Sequence, residues 1–429
     1  MRSRTQFLAC AVICSLAGSA AGQQAERLTL SQAEELALRN HPRLASANLS
    51  ADAAKAVVTQ TRAALYPMLG TSFTSIGADH ESTMAAGAVQ TSSLYSRVAA
   101  GVTLSQLITD FGRTGQLTES ARLRAAAQGE NVGNTRAQIL VAVDTAYYQA
   151  LQAESVLRSA QAVVESRRLT LRQVRAMAEG SLKSTLDVRF AEVAVSEAEL
   201  GLFQAENSVQ ASRARLASAL GFESPRNFSL VDEPMPPPLD TSADALVAEA
   251  IRQRPDLVVL RMNRDAAQRL AKAESRLRYP TVSIVAVAGG LPAGDPRLHG
   301  SYSAAGLNVS VPVLNGGLFA ARQEEAELRA QATAKDLDDL TVRVAEDVRV
   351  AWLEANNAFR RLDVTARLLV QANEALRLAQ ARYDSGLGSI VELNQAQLSQ
   401  VSAQIAAASA KYEYLGRRAV LNFAIGALR

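Results

Sequence analysis

The sequence predicts a mainly α-helical chain built twice over, each half a long antiparallel helical hairpin preceded by two strands. Three observations predict it. Alanine, the strongest helix former, supplies 80 of the 429 residues, while aromatics make up only 5%. Proline is absent from about Thr114 to Ala178 and again from about Leu318 to Tyr383. The same landmarks recur in the same order. His41-Pro42-Arg43-Leu44 faces Arg254-Pro255-Asp256-Leu257, and Leu65-Tyr66-Pro67 faces Arg278-Tyr279-Pro280, both at an offset of 213. Gly101-Val102-Thr103-Leu104 faces Gly306-Leu307-Asn308-Val309, and Ala146-Tyr147 faces Ala351-Trp352, at an offset of 205. Leu186-Asp187 faces Val391-Glu392, and Leu220-Gly221 faces Ile425-Gly426, also at 205. A longer loop in one half accounts for the change of offset.

The elements follow in chain order. Residues 1–22 read as a secretory signal, with Arg2 and Arg4 as its positive region, Phe7 to Ala17 as its apolar stretch and Ser19-Ala20-Ala21 at the cleavage site. A lipoprotein reading through Phe7-Leu8-Ala9-Cys10 is the alternative. Both cysteines, Cys10 and Cys14, lie in this segment, so the mature chain is expected to hold no disulfide and no thiolate metal site. Removing Arg2 and Arg4 takes the net charge from +3 to +1, which gives no electrostatic case for nucleic acid. No later run of 18 apolar residues predicts a transmembrane helix, so the mature chain is either soluble or inserted as a β-barrel.

The first repeat spans 23–221, a Pro-rich linker 222–241, and the second repeat 242–429. Each repeat opens on helical stretches (29–64 and 242–278) broken before Pro42 and Pro255, because the residue preceding proline is pushed out of α. Strands are predicted at about 66–78 and 94–108, then 279–290 and 301–314. Leu307, Val309, Val311 and Val313 alternate with Asn308 and Ser310, the period of a two-faced strand. Turns at Asp110-Phe111-Gly112 and Asn315-Gly316-Gly317 open the long hairpins, 114–220 and 318–425. A 65-residue helix at about 1.5 Å per residue is a rod of about 98 Å, which needs a partner. Tight turns at Glu179-Gly180-Ser181 and Asp384-Ser385-Gly386-Leu387-Gly388 supply one by folding a return helix back. Four strands of this length match bilayer-crossing strands but cannot close a barrel alone, since open edges are not tolerated in lipid. Either several chains pool strands, or a small soluble sheet caps a coiled coil.

In order and in duplicate, these motifs resemble the TolC family of outer membrane efflux and secretion channels. The residues carrying the resemblance are His41-Pro42, Tyr66-Pro67, Arg254-Pro255-Asp256-Leu257, Tyr279-Pro280, Val311-Pro312-Val313-Leu314-Asn315-Gly316-Gly317 and Tyr383-Asp384-Ser385-Gly386-Leu387. The resemblance implies a homotrimer with a twelve-stranded barrel among outer membrane lipids and a twelve-helix periplasmic α-barrel. It implies a passive duct that docks onto a periplasmic adaptor and an inner-membrane transporter of RND or ABC type. Efflux of small molecules, as exit duct of a tripartite pump, is the first reading, and a type I protein secretion system the second. A soluble periplasmic coiled-coil scaffold or adaptor is the reading from another class, although adaptors usually carry one hairpin between β-rich modules. No cofactor is expected, and the sequence lacks G-x-x-x-x-G-K-[ST], G-x-S-x-G and H-E-x-x-H, so nothing positive supports an enzyme.

The resemblance places candidate functional residues at the hairpin tips. Asp187 and Glu392 are equivalent across the repeat and imply an acidic, cation-favouring constriction at the periplasmic mouth. Ser184-x-x-Asp187 and Ser389-x-x-Glu392 also read as capping boxes, so helix capping is an alternative role. Tyr383 is implied to help hold the tip closed; aromatic packing between helices is the plainer account. The basic residue some relatives carry in the second tip is replaced here by Gly388-Ser389, leaving Lys183 or Arg382 as substitutes. Gly180, Leu182, Gly386 and Leu387 form the tip turns, with the glycines expected at positive φ and the leucines as adaptor contacts. Arg43, Arg254 and Asp256 read as helix-terminus polar groups rather than ligand contacts. His41, His80 and His299 are far apart in sequence and predict no metal site; the latter two lie in candidate surface loops.

Overall fold

The computed structural model describes residues 26–77, 85–86, 89–90, 96–180, 183–238, 242–294 and 299–428. The expected signal segment, His80 and Leu182 lie outside them.

The chain is mainly helical. A short strand β1 (Glu26–Leu28) leads into α1 (Leu30–Asn40) and α2 (Pro42–Ala63). Thr29 and Gln32 form a capping box at the start of α1. His41 breaks the two helices with an extended backbone, and its Nδ1 accepts from the Arg43 N–H to cap α2, with Pro42 in the first turn. Strand β2 (Met68–Ile76), a two-residue pair β3 (Ala85–Ala86) and β4 (Val89–Gln90), and β5 (Arg97–Thr109) come next. The hairpin α3 (Arg113–Glu179) and α4 (Thr185–Ala219) completes the repeat. After β6 (Phe228–Leu230) the plan recurs as α5 (Ala243–Gln253), α6 (Pro255–Glu274), β7 (Thr281–Gly294), β8 (Ser301–Ser310), α7 (Leu318–Asp384) and α8 (Ile390–Ala424). The long helices match in length, 67 and 67 residues, and so do the return helices, 35 and 35. At about 1.5 Å per residue each long helix measures about 100 Å.

Two details differ from the sequence reading. The fourth strand, expected to reach Leu314, ends at Ser310, because Pro312 brings no N–H to a ladder. Val313 and Leu314 are more than 90% exposed there. The Pro-rich linker contains β6, which pairs in parallel with β1, Leu28 opposite Leu230. Tyr147 of α3, fully buried, holds this pair: its hydroxyl lies 2.8 Å from the Leu28 carbonyl and 2.7 Å from the Val231 carbonyl, and accepts from the Val231 N–H. The turn before α3 is also unusual. Phe111 has φ 55°, a left-handed conformation that is costly for a bulky side chain, whereas the equivalent residue in the second repeat is Gly316 at φ 59°. Phe111 stacks on Tyr279 with ring centroids 5.5 Å apart, which ties the first repeat's turn to the start of β7.

Helix α3 is the hub, packing against α1, α2, α4, α6 and α8, while α7 packs against α5, α6 and α8. Much of the buried surface along the rods is alanine (Ala125, Ala127, Ala137, Ala146, Ala351, Ala355 and Ala358 among them), so the backbones approach closely. Larger residues gather where α1 and α8 join α3 and α4 (Val143, Tyr147, Leu220, Leu415), where α5 and α6 join α7 and α8 (Leu257, Val344, Val348, Leu421), and near the tips (Val174, Tyr383, Ile390, Leu393).

Strands β2, β5, β7 and β8 form one antiparallel sheet in that order, with β2 and β8 as open edges among the described residues. The register sorts its side chains onto two faces. One row across the sheet is Leu69, Leu104, Ala286 and Ala305; rows on the same face add Phe73, Ala100, Val102, Ala288, Ile284 and Leu307. The opposite face carries Gly70, Ser72, Thr103, Ser105, Tyr302, Asn308 and Ser310, with Val285 and Val287 among them. The apolar face is uncovered: Leu69, Phe73 and Leu307 each expose more than 70% of their surface. On the polar face Tyr302 lies across Gly101 and Gly289, where any Cβ would collide with its ring or hydroxyl. Among the described residues no helix is long and apolar enough to cross a membrane.

Candidate functional site

The tips of the two hairpins come together. Val174 of α3, Ala191 of α4, Ala379 and Tyr383 of α7, and Ile390 and Leu393 of α8 form one buried cluster. Tyr383 is 2% exposed. Among the described residues its hydroxyl has no hydrogen-bond partner, and burial, with help from Asp187 and Asp384, pushes its pKa up to about 12. The phenol therefore stays neutral at physiological pH. Lys183 of the first tip reaches the second: its Nζ donates to the Tyr383 carbonyl at 2.9 Å and sits 3.7 Å from the Tyr383 ring centroid. Lys183 thus makes the polar contact between hairpins that the sequence leaves open between it and Arg382.

The two acids behave differently. Asp187 is in a reciprocal capping box, its Oδ2 accepting from the Ser184 N–H while its own N–H donates to Ser184 Oγ. The expected second box is incomplete. Ser389 Oγ accepts from the Glu392 N–H, but the Glu392 carboxylate turns away to Arg382, with Nε and Oε1 3.1 Å apart. Arg382 acts within its own hairpin, not between hairpins. Positive φ is found at Gly386, 77°, but not at Gly180, which has φ −77° and a conformation open to any residue. Leu387 is 75% exposed at the second turn.

Two further clusters escaped sequence reasoning. Arg254 is buried; Nε and Nη2 clasp Asp256, and Nη1 reaches Asp347 of α7 and the Ala424 carbonyl at the end of α8. It is a helix-terminus group, as the sequence suggests, but one that fastens three helices. Arg43, which in the first repeat corresponds to Asp256, donates to Gln138 of α3. Asp144 of α3 is 4% exposed. Burial, reinforced by Glu34 of α1 and Glu233 after β6, pushes its pKa up to about 8. An acid held protonated by the fold binds more protons folded than unfolded, so its contribution falls as pH rises from about 4 to about 8. Asp144→Asn, which removes only the charge, is expected to leave stability unchanged near pH 4 and to raise it by about 1–3 kcal/mol at pH 8.5. Thermal unfolding followed by circular dichroism at both pH values checks this; an unchanged pH slope would rule it out. Among the described residues no group of three or more His, Cys, Asp or Glu is placed to hold a metal ion, and His299 is exposed.

A sheet with a bare apolar face on a rod of about 100 Å fits a chain that enters a membrane at one end. The profile of the outer membrane efflux protein family matches residues 34–222 and 246–427, and the chain belongs to that family. It resides in the cell outer membrane and extends into the periplasm, which sets aside the soluble-scaffold reading. The outer membrane protein TolC of Escherichia coli (strain K12) is 24% identical, covering 96% of this chain and 85% of that one. The proteases secretion protein PrtF of Dickeya chrysanthemi is 23% identical, with 97% and 92% covered. The solved outer membrane protein VceC of Vibrio cholerae shares the fold at a TM-score of 0.77 and 20% identity, covering 92% of this chain and 96% of that one.

Proposed function

We propose that three chains pool their strands into a twelve-stranded barrel and their four long helices each into a twelve-helix tunnel. The observation that carries this reading is the four-stranded sheet with an exposed apolar face and two open edges, which is stable in lipid only when edge β8 of one chain meets edge β2 of the next. The helices support the same closure. On α4, Leu186, Phe190, Val193 and Leu200 recur at seven-residue intervals with a four-residue step and are exposed. On α7, Val342, Val350, Leu353, Val364 and Leu368 are exposed as well. These stripes are the surfaces a neighbouring copy would cover.

The assembly acts as the passive exit duct of a tripartite efflux pump, joined to a periplasmic adaptor and an inner-membrane transporter of RND or ABC type. The family description favours efflux; the name of PrtF keeps protein secretion as the second reading. The periplasmic mouth lies at the tips, with Asp187 and Glu392 as its acidic ring and Lys183 on Tyr383 as the contact that holds it narrow. In planar bilayers under asymmetric salt, Asp187→Asn with Glu392→Gln is expected to reduce cation preference while trimers persist, and Lys183→Met is expected to raise single-channel conductance. An unchanged reversal potential would remove the ring, and unchanged conductance the latch.

Gly180, Gly386, Leu182 and Leu387 are the proposed adaptor-docking tips. Leu387 carries the clearest expectation, because an exposed leucine on a turn gains by burial about 2 kcal/mol in a partner's groove. Leu387→Asp is expected to form normal trimers and lose export, read as restored sensitivity of cells to effluxed compounds. Export at the native level would show that docking lies elsewhere.

A further inference from the structure

Where α3, α4 and α8 meet, between the two hairpins, lies a cleft of about 150 Å³. Its walls include Val163 of α3, Glu197 of α4, and Leu398, Val401 and Ile405 of α8, and Arg167 of α3 lines it as well. Arg167 is 6% exposed. Among the described residues its Nη1 has no hydrogen-bond partner and the guanidinium makes no ion pair. Glu197 is the one opposite charge acting on it at a distance, and burial outweighs that help. A guanidinium does not shed its proton to escape burial. It is a fixed cation, poorly hydrated, in a cleft whose other walls are apolar apart from Glu197, and neither the tip contacts nor the sheet uses it. Burying such a charge unpaired is costly, so an anion entering the cleft gains both a bidentate partner and apolar contact.

We propose that this cleft binds small apolar anions: a carboxylate on Arg167 with its ring or short chain among Val163, Leu398, Val401 and Ile405. The size suits one ring, since an apolar cavity of about 150 Å³ accommodates benzene. The ligand would bridge the two hairpins of one subunit, α3 and α4 on one side and α8 on the other. The site is separate from the tip residues.

Benzoate, benzyl alcohol and benzamidine share a ring and differ in charge. Equilibrium dialysis against the full assembly in amphipol is expected to retain benzoate at one site per chain with a Kd of about 1 mM, at least about tenfold tighter than benzyl alcohol, and to exclude benzamidine. Arg167→Met is expected to abolish the preference for benzoate and leave benzyl alcohol unchanged. Arg167→Gln is the second variant should the first disturb packing. Glu197→Gln, which removes the competing carboxylate, is expected to tighten benzoate severalfold. Benzoate bound no better than benzyl alcohol, or a preference that survives both Arg167 variants, would overturn the site. Benzoate binding only after Glu197→Gln would overturn it too, showing that Glu197 satisfies Arg167 in the native chain.

Discussion

Leu104→Arg is expected to remove the protein from the outer membrane, while Thr103→Arg, one residue away, leaves it there. Leu104 sits in the row Leu69, Leu104, Ala286, Ala305 that crosses the apolar face, and Thr103 lies on the opposite face with Gly70 and Val287. An arginine on the lipid face of a barrel near midplane costs about 2–4 kcal/mol, and the cost is incurred once per chain in the proposed shared barrel. Against a total stability of about 5–15 kcal/mol for a typical domain, three such charges are decisive. On the opposite face, which lines the lumen of the proposed barrel, the same side chain meets water. Membrane fractionation, with heat-resistant assembly scored on gels, distinguishes the two variants. Equal loss from both would mean that the faces are assigned wrongly or that the sheet does not face lipid.

Glu274→Ala is expected to destabilise the helical trunk by about 1–3 kcal/mol, more than any single change on its surface. The Glu274 side chain, 9% exposed, ends α6 between two guanidiniums: Arg322 Nε of α7 at 3.0 Å and Arg113 Nη2 of α3 at 3.7 Å. It thereby joins both long helices just beneath the sheet. Removing it leaves two cations, Arg113 partly buried and Arg322 exposed, without their shared counter-charge. Glu274→Gln is expected to lose less, since it keeps the volume and one acceptor. Lys55→Ala, which breaks an exposed i,i+3 pair with Asp52, serves as the reference and is expected to change stability by less than about 0.5 kcal/mol. Thermal unfolding of the three variants orders them; a Glu274→Ala variant as stable as Lys55→Ala would show that the carboxylate is dispensable.

The helices and the main strands were legible because each is set by local rules. Proline-free stretches, glycines before Arg113 and Leu318, and Ser184 three residues before Asp187 act within one turn of chain. The repeat made the reading firmer, since two weak signals at one offset seldom coincide. What stayed hidden depends on residues distant in sequence. Tyr147 is one more aromatic on a helix until its hydroxyl meets Leu28 and Val231, 119 and 84 residues away. Asp144 reads as an ordinary helix acid, because nothing in its neighbourhood of sequence announces Glu34 and Glu233. At the tips the error was chemical: Glu392 fits the capping-box spacing, yet a nearby arginine outcompetes a backbone N–H for its carboxylate. Gly180 shows the opposite error, a glycine whose freedom the turn does not use.

The pooling of strands is the central claim, and the mass of the assembly tests it most directly. Protein extracted from isolated outer membranes, sized by light scattering with the detergent contribution subtracted, is expected to weigh three mature chains. A particle of one chain or two would contradict the account, since four or eight strands would then have to satisfy the edges of β2 and β8 in some other way.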